Sequence, residues 1–357
     1  MPLEVTLIAL PFVVAFIVSM IFAPGLITAL KQRRVGQTIS QDGPESHASK
    51  AGTPTMGGLI ILAGIFGGAF AITYALQNPA FSLGGDVLSS RHTTLLVDLF
   101  AVLLLMLSFA LLGMADDYLT IHPVRGIRGI ASKPKAAAQI LLAVAFVMWL
   151  AYHRAGFMPV LYIMGSPLFG GVAYWIFSVV FIVGMANFVN ITDGLDGLVS
   201  GLTAITAAAF VLIIMLVPPH AGFESSTLMS LLMAIAGACV AFLWFNTNPA
   251  KVFMGDTGSL ALGVALPAIA ILTHREILLI IVGLVFILDG LSTAVQWAVF
   301  KFTRITTGTG RRVFKKSPIH HHFELSGWPE QTIVVRFWIV GIIAALIAFI
   351  GAAWRLW

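Results

Sequence analysis

Long unbroken apolar runs dominate this chain and decide what it can become. Several of its 357 residues' stretches exceed 18 apolar residues with almost no charge. About 20 such residues in a helix cross the hydrocarbon core of a bilayer. Inside lipid every backbone polar group needs an internal partner, so only helices or a closed barrel can span. The alternation expected of a barrel strand is absent, and the runs are continuous and rich in Leu, Ile, Ala and Gly. The sequence therefore predicts an all-α integral membrane protein. Charged residues make up only 10% of the chain, against about 25% in soluble domains.

Ten spans are predicted, at about 5–29, 56–76, 94–114, 136–152, 172–190, 197–217, 227–245, 258–273, 276–300 and 334–354. The first lacks a basic leader and is longer than a signal sequence, so it reads as a retained span. No repeat or linker divides residues 1–357, which are read as a single polytopic domain. Of the 20 Lys and Arg residues, fifteen fall between odd and following even spans, from Lys31 to Lys316. Only Arg91, Arg154, Arg275 and Arg355 fall on the other side. The excess of basic residues marks the cytoplasmic side, which predicts both termini outside. The net charge of +5 is then an orientation signal that calls for no nucleic-acid partner. The single cysteine, Cys239, sits in an apolar run and reads as a small buried residue.

Polar clusters gather on that same predicted cytoplasmic face. They are Asp116–Asp117, the "NITDGLDGL" stretch with Asn190, Asp193 and Asp196, and the "WFNTNPAKVFMGDTGS" stretch with Asn246 and Asp256. His47, Lys50, Thr53 and Thr55 precede the second span, and "KKSPIHHHFELSGWPE" precedes the last. Consecutive Asp116 and Asp117 diverge by about 100° on a helix, so they are expected to do different work. Asp193 and Asp196 share a face if helical, and Gly194 and Gly197 let a ligand approach the backbone. Carboxylates in oxygen-only company suit Mg²⁺, which is usually completed by substrate phosphates. By itself "GDTGS" reads as a turn. Phe253, an aromatic in a polar loop, could stack on a base. Asp289 lies deep in the predicted ninth span, where an acid is either functional or a hydrogen-bonded packing residue. Asp98, near the outer end of span three, is expected to snorkel. Zinc is a poor fit to His320, His321 and His322, because adjacent residues diverge and no cysteine is near. A loop or short helix presenting one or two imidazoles, the third packing back, fits better.

Five stretches together resemble the phospho-N-acetylmuramoyl-pentapeptide transferases: "PESHASKAGTPTMGG" (44–58), "ADDY" (115–118), "NFVNITDGLDGL" (187–198), "FLWFNTNPAKVFMGDTGSLALG" (242–263) and "PIHHHFELSGWPE" (318–330). The resemblance covers nearly the whole chain and implies ten spans with an active site at the cytoplasmic face of the bacterial inner membrane. It implies transfer of the phosphosugar from UDP-N-acetylmuramoyl-pentapeptide to undecaprenyl phosphate, yielding lipid I and UMP, with Mg²⁺ and as a homodimer. By motif position Asp116 and Asp117 match the paired catalytic acids. Asp256 matches the metal-binding acid, with Asp117 as a second candidate ligand. His320 and His321 match catalytic positions of the histidine motif. Lys50, Thr55, Lys133, Asn190, Asp193, Gly194, Leu195, Asp196, Asn246, Phe253, Gln296 and His322 match substrate-binding positions. The chain departs from the family pattern at Asp289, where a glutamate is usual, and at Thr120, where a basic residue is usual. Two other readings are a sister N-acetylhexosamine-1-phosphate transferase and a lipid-linked-sugar transporter. The "HHHFELSGWPE" stretch weighs against the first. The lack of polar residues along a membrane path weighs against the second.

Overall fold

The computed structural model describes residues 2–33, 52–77, 90–123, 126, 128–154, 157–163, 166–216 and 226–354. Twelve helices and one hairpin are formed by these residues: α1 (Pro2–Gln32), α2 (Gly58–Gln77), α3 (Ser90–Ile121), α4 (Ser132–His153), β1 (Val160–Ile163), β2 (Ser166–Gly170), α5 (Val172–Thr192), α6 (Leu198–Leu216), α7 (Ser226–Asn246), α8 (Gly255–Thr273), α9 (Glu276–Val282), α10 (Leu284–Thr307), α11 (Ile319–Glu324) and α12 (Glu330–Ala353). Among the described residues ten helices are long and apolar enough to cross a membrane. The protein is a multi-pass, all-α membrane protein.

Helix α8 is the axis of the bundle. Every residue from Thr257 to Thr273 is buried, with α2, α3, α5, α6, α7 and α9 around it. Lipid supplies no hydrophobic drive between helices, so close packing depends on small residues. Gly58 of α2 crosses Gly258 of α8, Gly263 lies on Ala186 of α5, and Gly237 of α7 lies on the Phe12 carbonyl of α1. A methyl group at any of these positions would overlap a neighbouring backbone.

The structure corrects the predicted ninth span. Residues 276–300 are not one helix: α9 ends at Val282, Gly283 turns the chain, and α10 starts at Leu284. Hydropathy cannot see this break because both sides are apolar. The spanning helix therefore runs to Thr307 and carries Lys301 and Arg304, which the sequence reading left in a loop. Helices α3 and α4 also extend beyond their predicted ends, placing Asp116 and Asp117 in α3 and Lys133 and Lys135 in the first turn of α4. The antiparallel β1–β2 hairpin between α4 and α5 was not predicted. Asp98 does not snorkel. It is 1% exposed and paired with Arg154 beyond the end of α4. An acid that finds an arginine inside the bundle has no reason to reach for water.

Candidate active site

The site forms where the C-terminal ends of α3 and α5 meet the N-terminal ends of α4 and α8. Asp117 caps α8 from outside that helix. Its Oδ1 accepts from the Asp256 amide at 3.1 Å, and its Oδ2 from the Thr257 amide at 3.0 Å and the Thr257 hydroxyl at 2.6 Å. The first amides of a helix lack internal partners and carry partial positive charge, so a carboxylate there is well matched. Both oxygens are thus engaged. This geometry makes Asp117 a residue that positions α8. The approach depends on Gly255, whose φ is +71°. A Cβ there would sit 2.6 Å from Asp117 Oδ2 and 2.7 Å from Thr55 Oγ1. Gly255→Ala is expected to destabilise the fold by about 1–3 kcal/mol, read as a lower melting temperature in detergent.

Asp116 points elsewhere. Its Oδ1 accepts from the Ile130 amide at 2.8 Å, and its Oδ2 lies 3.5 Å from Lys135 Nζ. Lys135 also pairs with Asp256 Oδ2, and Asn190 Nδ2 donates to Asp256 Oδ1 at 2.7 Å and to Ser259 Oγ at 2.9 Å. One cation therefore joins two carboxylates on different helices, and each stays partly open to solvent, at 15% for Asp116 and 23% for Asp256. Lys133, a substrate-binding position by the resemblance, is exposed and lies outside this bridge. The missed residue had a readable signal. Lys135 is one helical turn before Gln139, and the buried face of α4 continues through Ala143, Phe146, Val147 and Leu150. Residues two apart on a helix point nearly opposite ways, so only Lys135 can share that face.

Several candidate residues build the walls. Asn246 accepts from the Gly197 amide at 3.0 Å and donates to the Val252 carbonyl at 2.9 Å, tying two loops together. Asp196 Oδ2 accepts from Asn248 Nδ2 and from the Ala250 amide, each at 3.1 Å. Its own amide donates to Glu330 Oε1 at 2.7 Å. Asp196 thus clamps the α5–α6 loop to the α7–α8 loop and α12. Glu330 and Asn248 lie inside the quoted motif stretches, but only the fold brings them to Asp196. Leu195 is buried beneath this loop, while Asp193 and Gly194 are half-buried above it. Thr55 is buried beside Gly255. Phe253, half-buried, is held by its backbone: its amide donates to the Pro54 carbonyl and its carbonyl accepts from the Gly57 amide, both at 2.8 Å. Lys50 and His47 lie outside the described residues.

The histidine stretch folds as the short α11. Asp289, far from facing lipid, is fully buried against it. Its Oδ2 lies 2.7 Å from His320 Nδ1, and its Oδ1 accepts from the His320 amide at 3.3 Å. The break at Gly283 puts Asp289 only two turns into α10, level with α11. His321 Nδ1 lies 2.5 Å from Glu324 Oε2. Burial pushes the His321 pKa down, against the opposing pull of Glu324, and His320 and Lys316 add to the depression. His322 packs back: its Nδ1 accepts from the Lys315 amide at 3.1 Å and its ring sits edge-on to Phe314 and Phe323. Gln296 accepts from the Val313 and Phe314 amides at 2.8 and 3.0 Å and donates to the Phe314 carbonyl at 3.0 Å. It therefore pins the basic loop in place. Among the described residues no three His, Cys, Asp or Glu side chains converge as a metal cage.

Comparison with known proteins agrees with this arrangement. A family model described as Glycosyl transferase family 4 matches residues 99–274, the segment holding Asp116, Lys135, Asn190 and Asp256. The pattern described as phospho-N-acetylmuramoyl-pentapeptide-transferase signature 1 matches residues 50–62, which include Thr55 and the Gly57–Gly58 turn. Similar proteins named phospho-N-acetylmuramoyl-pentapeptide-transferase occur in Bacillus pumilus (strain SAFR-032), 40% identical over 96% of this chain and 97% of that protein. One from Shouchella clausii (strain KSM-K16) is 41% identical over 96% of both chains. One from Bacillus subtilis (strain 168) is 40% identical over 95% of this chain and 96% of its own. With identity of this level running almost end to end, and with the signature residues built into the wall beside Asp117 and Asp256, the chain belongs to the phospho-N-acetylmuramoyl-pentapeptide transferase family.

Proposed function

We propose that the protein transfers phospho-N-acetylmuramoyl-pentapeptide from its UDP carrier to undecaprenyl phosphate, giving lipid I and UMP in peptidoglycan synthesis. The observation that carries this reading is the Asp116–Lys135–Asp256 bridge, backed by Asn190, at the meeting point of four helix ends. Phosphoryl transfer is mostly positioning and charge neutralisation. Lys135 brings a cation to where two carboxylates already converge. Two partly open carboxylates around one cation also fit Mg²⁺, which favours one or two acids plus substrate phosphates. Asp256 and Asp116 would hold the ion. When bound, it neutralises the donor diphosphate and supports the departing UMP. Asn190 keeps Asp256 oriented, and Asp117 keeps the α8 N-terminus in place beneath it. The lipid phosphate, largely anionic at neutral pH with a second pKa near ~6, attacks the donor phosphorus directly, and the bond to UMP breaks. The basic run Arg311, Arg312, Lys315 and Lys316 draws the anionic donor toward α11.

The excess of Lys and Arg at the site end supports a cytoplasmic active site in the bacterial inner membrane, with both termini outside. The family resemblance supports a homodimer. Incubating purified protein with undecaprenyl phosphate, Mg²⁺ and either UDP-MurNAc-pentapeptide or UDP-GlcNAc tests the reading. UMP is expected with the muramoyl donor alone. UMP from UDP-GlcNAc would point to the sister enzymes, and none from either would point away from transfer.

Phe253 is assigned to stacking on the uracil ring. A stacked base is worth about 1–3 kcal/mol, so Phe253→Ala is expected to raise the KM for the UDP donor about 10-fold, with kcat little changed. An unaltered KM would remove Phe253 from the nucleotide site.

A further inference from the structure

We propose that Asp289 is the positioning residue of the reaction, and that through it His320 presents Nε2 to the substrate above Gly194. The inference rests on the transferase reading and assigns a working atom within it.

Three observations converge. First, Asp289 and His320 are both fully buried, so neither is a solvated surface group. Asp289 meets His320 twice, through the ring Nδ1 at 2.7 Å and the backbone amide at 3.3 Å. Two contacts to one residue fix both the start of α11 and the rotation of the imidazole. Second, His320 Nε2 is buried and makes no hydrogen bond. A buried nitrogen without a partner is destabilising, and such a group needs a reason. Third, that nitrogen points straight at Gly194. A methyl group built on Gly194 would overlap Nε2, with the ring Cε1 3.0 Å away. The close approach is possible because residue 194 has no side chain, and Gly194 lies between Asp193 and the buried Leu195 in the loop after α5.

The chemistry follows from the pairing. With Asp289 held on Nδ1, Nε2 is the ring nitrogen left to meet a polar group of the sugar nucleotide. A carboxylate behind an imidazole fixes its ring orientation, and losing such a partner typically costs 10–100-fold. Without Asp289 the ring can rotate and Nε2 loses its aim. Asp289 touches no substrate in this arrangement and acts wholly through His320.

Asp289→Asn, Asp289→Glu and Asp289→Ala, assayed for UMP release beside wild type with melting temperatures recorded, test this. The Asn and Ala variants are expected to lose 10–100-fold in kcat, with KM for undecaprenyl phosphate within about twofold of wild type. Glu, which restores a carboxylate, is expected to recover at least 10-fold over Asn. Gly194→Ala, which drives a methyl group into Nε2 but leaves Asp289 intact, is expected to lose activity as well. If Asn keeps wild-type kcat, or if Glu is no better than Asn while both melt like wild type, the inference is overturned. If every variant merely melts earlier and recovers full kcat at lower temperature, Asp289 is structural and the inference again falls. Wild-type protein that releases no UMP from the muramoyl donor instead refutes the transferase reading, so the two failures are distinct.

Discussion

Asp256→Asn is expected to lower turnover at least ~100-fold, the scale of losing one preorganised charged group at a phosphoryl-transfer centre. The substitution keeps the shape of the side chain and the α8 N-terminus. It removes the negative charge that Lys135 pairs with and that Asn190 orients. It also puts a neutral amide oxygen, a poor ligand for a hard cation, where a carboxylate stood. Asp117 still caps α8 through the amides of residues 256 and 257, so the variant should fold. UMP release at saturating substrates, repeated across a Mg²⁺ titration, checks it. Near wild-type turnover at low Mg²⁺ would remove Asp256 from the metal assignment.

The histidines should separate into two kinds. His320→Ala and His321→Ala are each expected to lose ~100-fold or more, while His322→Ala loses less than ~10-fold. His320 is the buried partner of Asp289, and His321 is braced by Glu324. His322 only receives the Lys315 amide and packs on Phe314 and Phe323, so its loss loosens the basic loop without removing a group aimed at substrate. Asp289 holds Nδ1 of His320, which leaves Nε2 as the ring nitrogen for substrate. Activity assays beside a thermal melt decide the point. Full activity in all three variants, or loss of wild-type activity to chelators selective for zinc over magnesium, would end this account of the stretch.

Much of the site was legible as composition at one end of the bundle. Asp116, Asp117, Asn190, Asp256 and the histidines were all visible as polar breaks in an apolar chain. Which of them does what was not. Asp117 and Asp256 have the same chemistry in sequence, yet one caps a helix and the other faces a lysine. Gln296 and Asp196 read as substrate-binding positions, and only the fold shows that both also hold backbone amides of neighbouring loops. Lys133 and Lys135 are separated only by helical phase.

The sequence alone determined the membrane class, the ten helices and the face where polar residues collect. Hydropathy and charge are local quantities, summed over neighbours in the chain, and a bilayer responds to that sum. The tertiary structure alone decided the pairings. Asp117 reaches Thr257 across 140 positions, Lys135 reaches Asp256 across 121, and His320 reaches Asp289 across 31. It also decided the turn at Gly283, since a break between two apolar helices leaves no mark in hydropathy. Hydrogen bonds and ion pairs depend on ångström distances between side chains, and packing around α8 sets those distances through glycines that let whole helices approach.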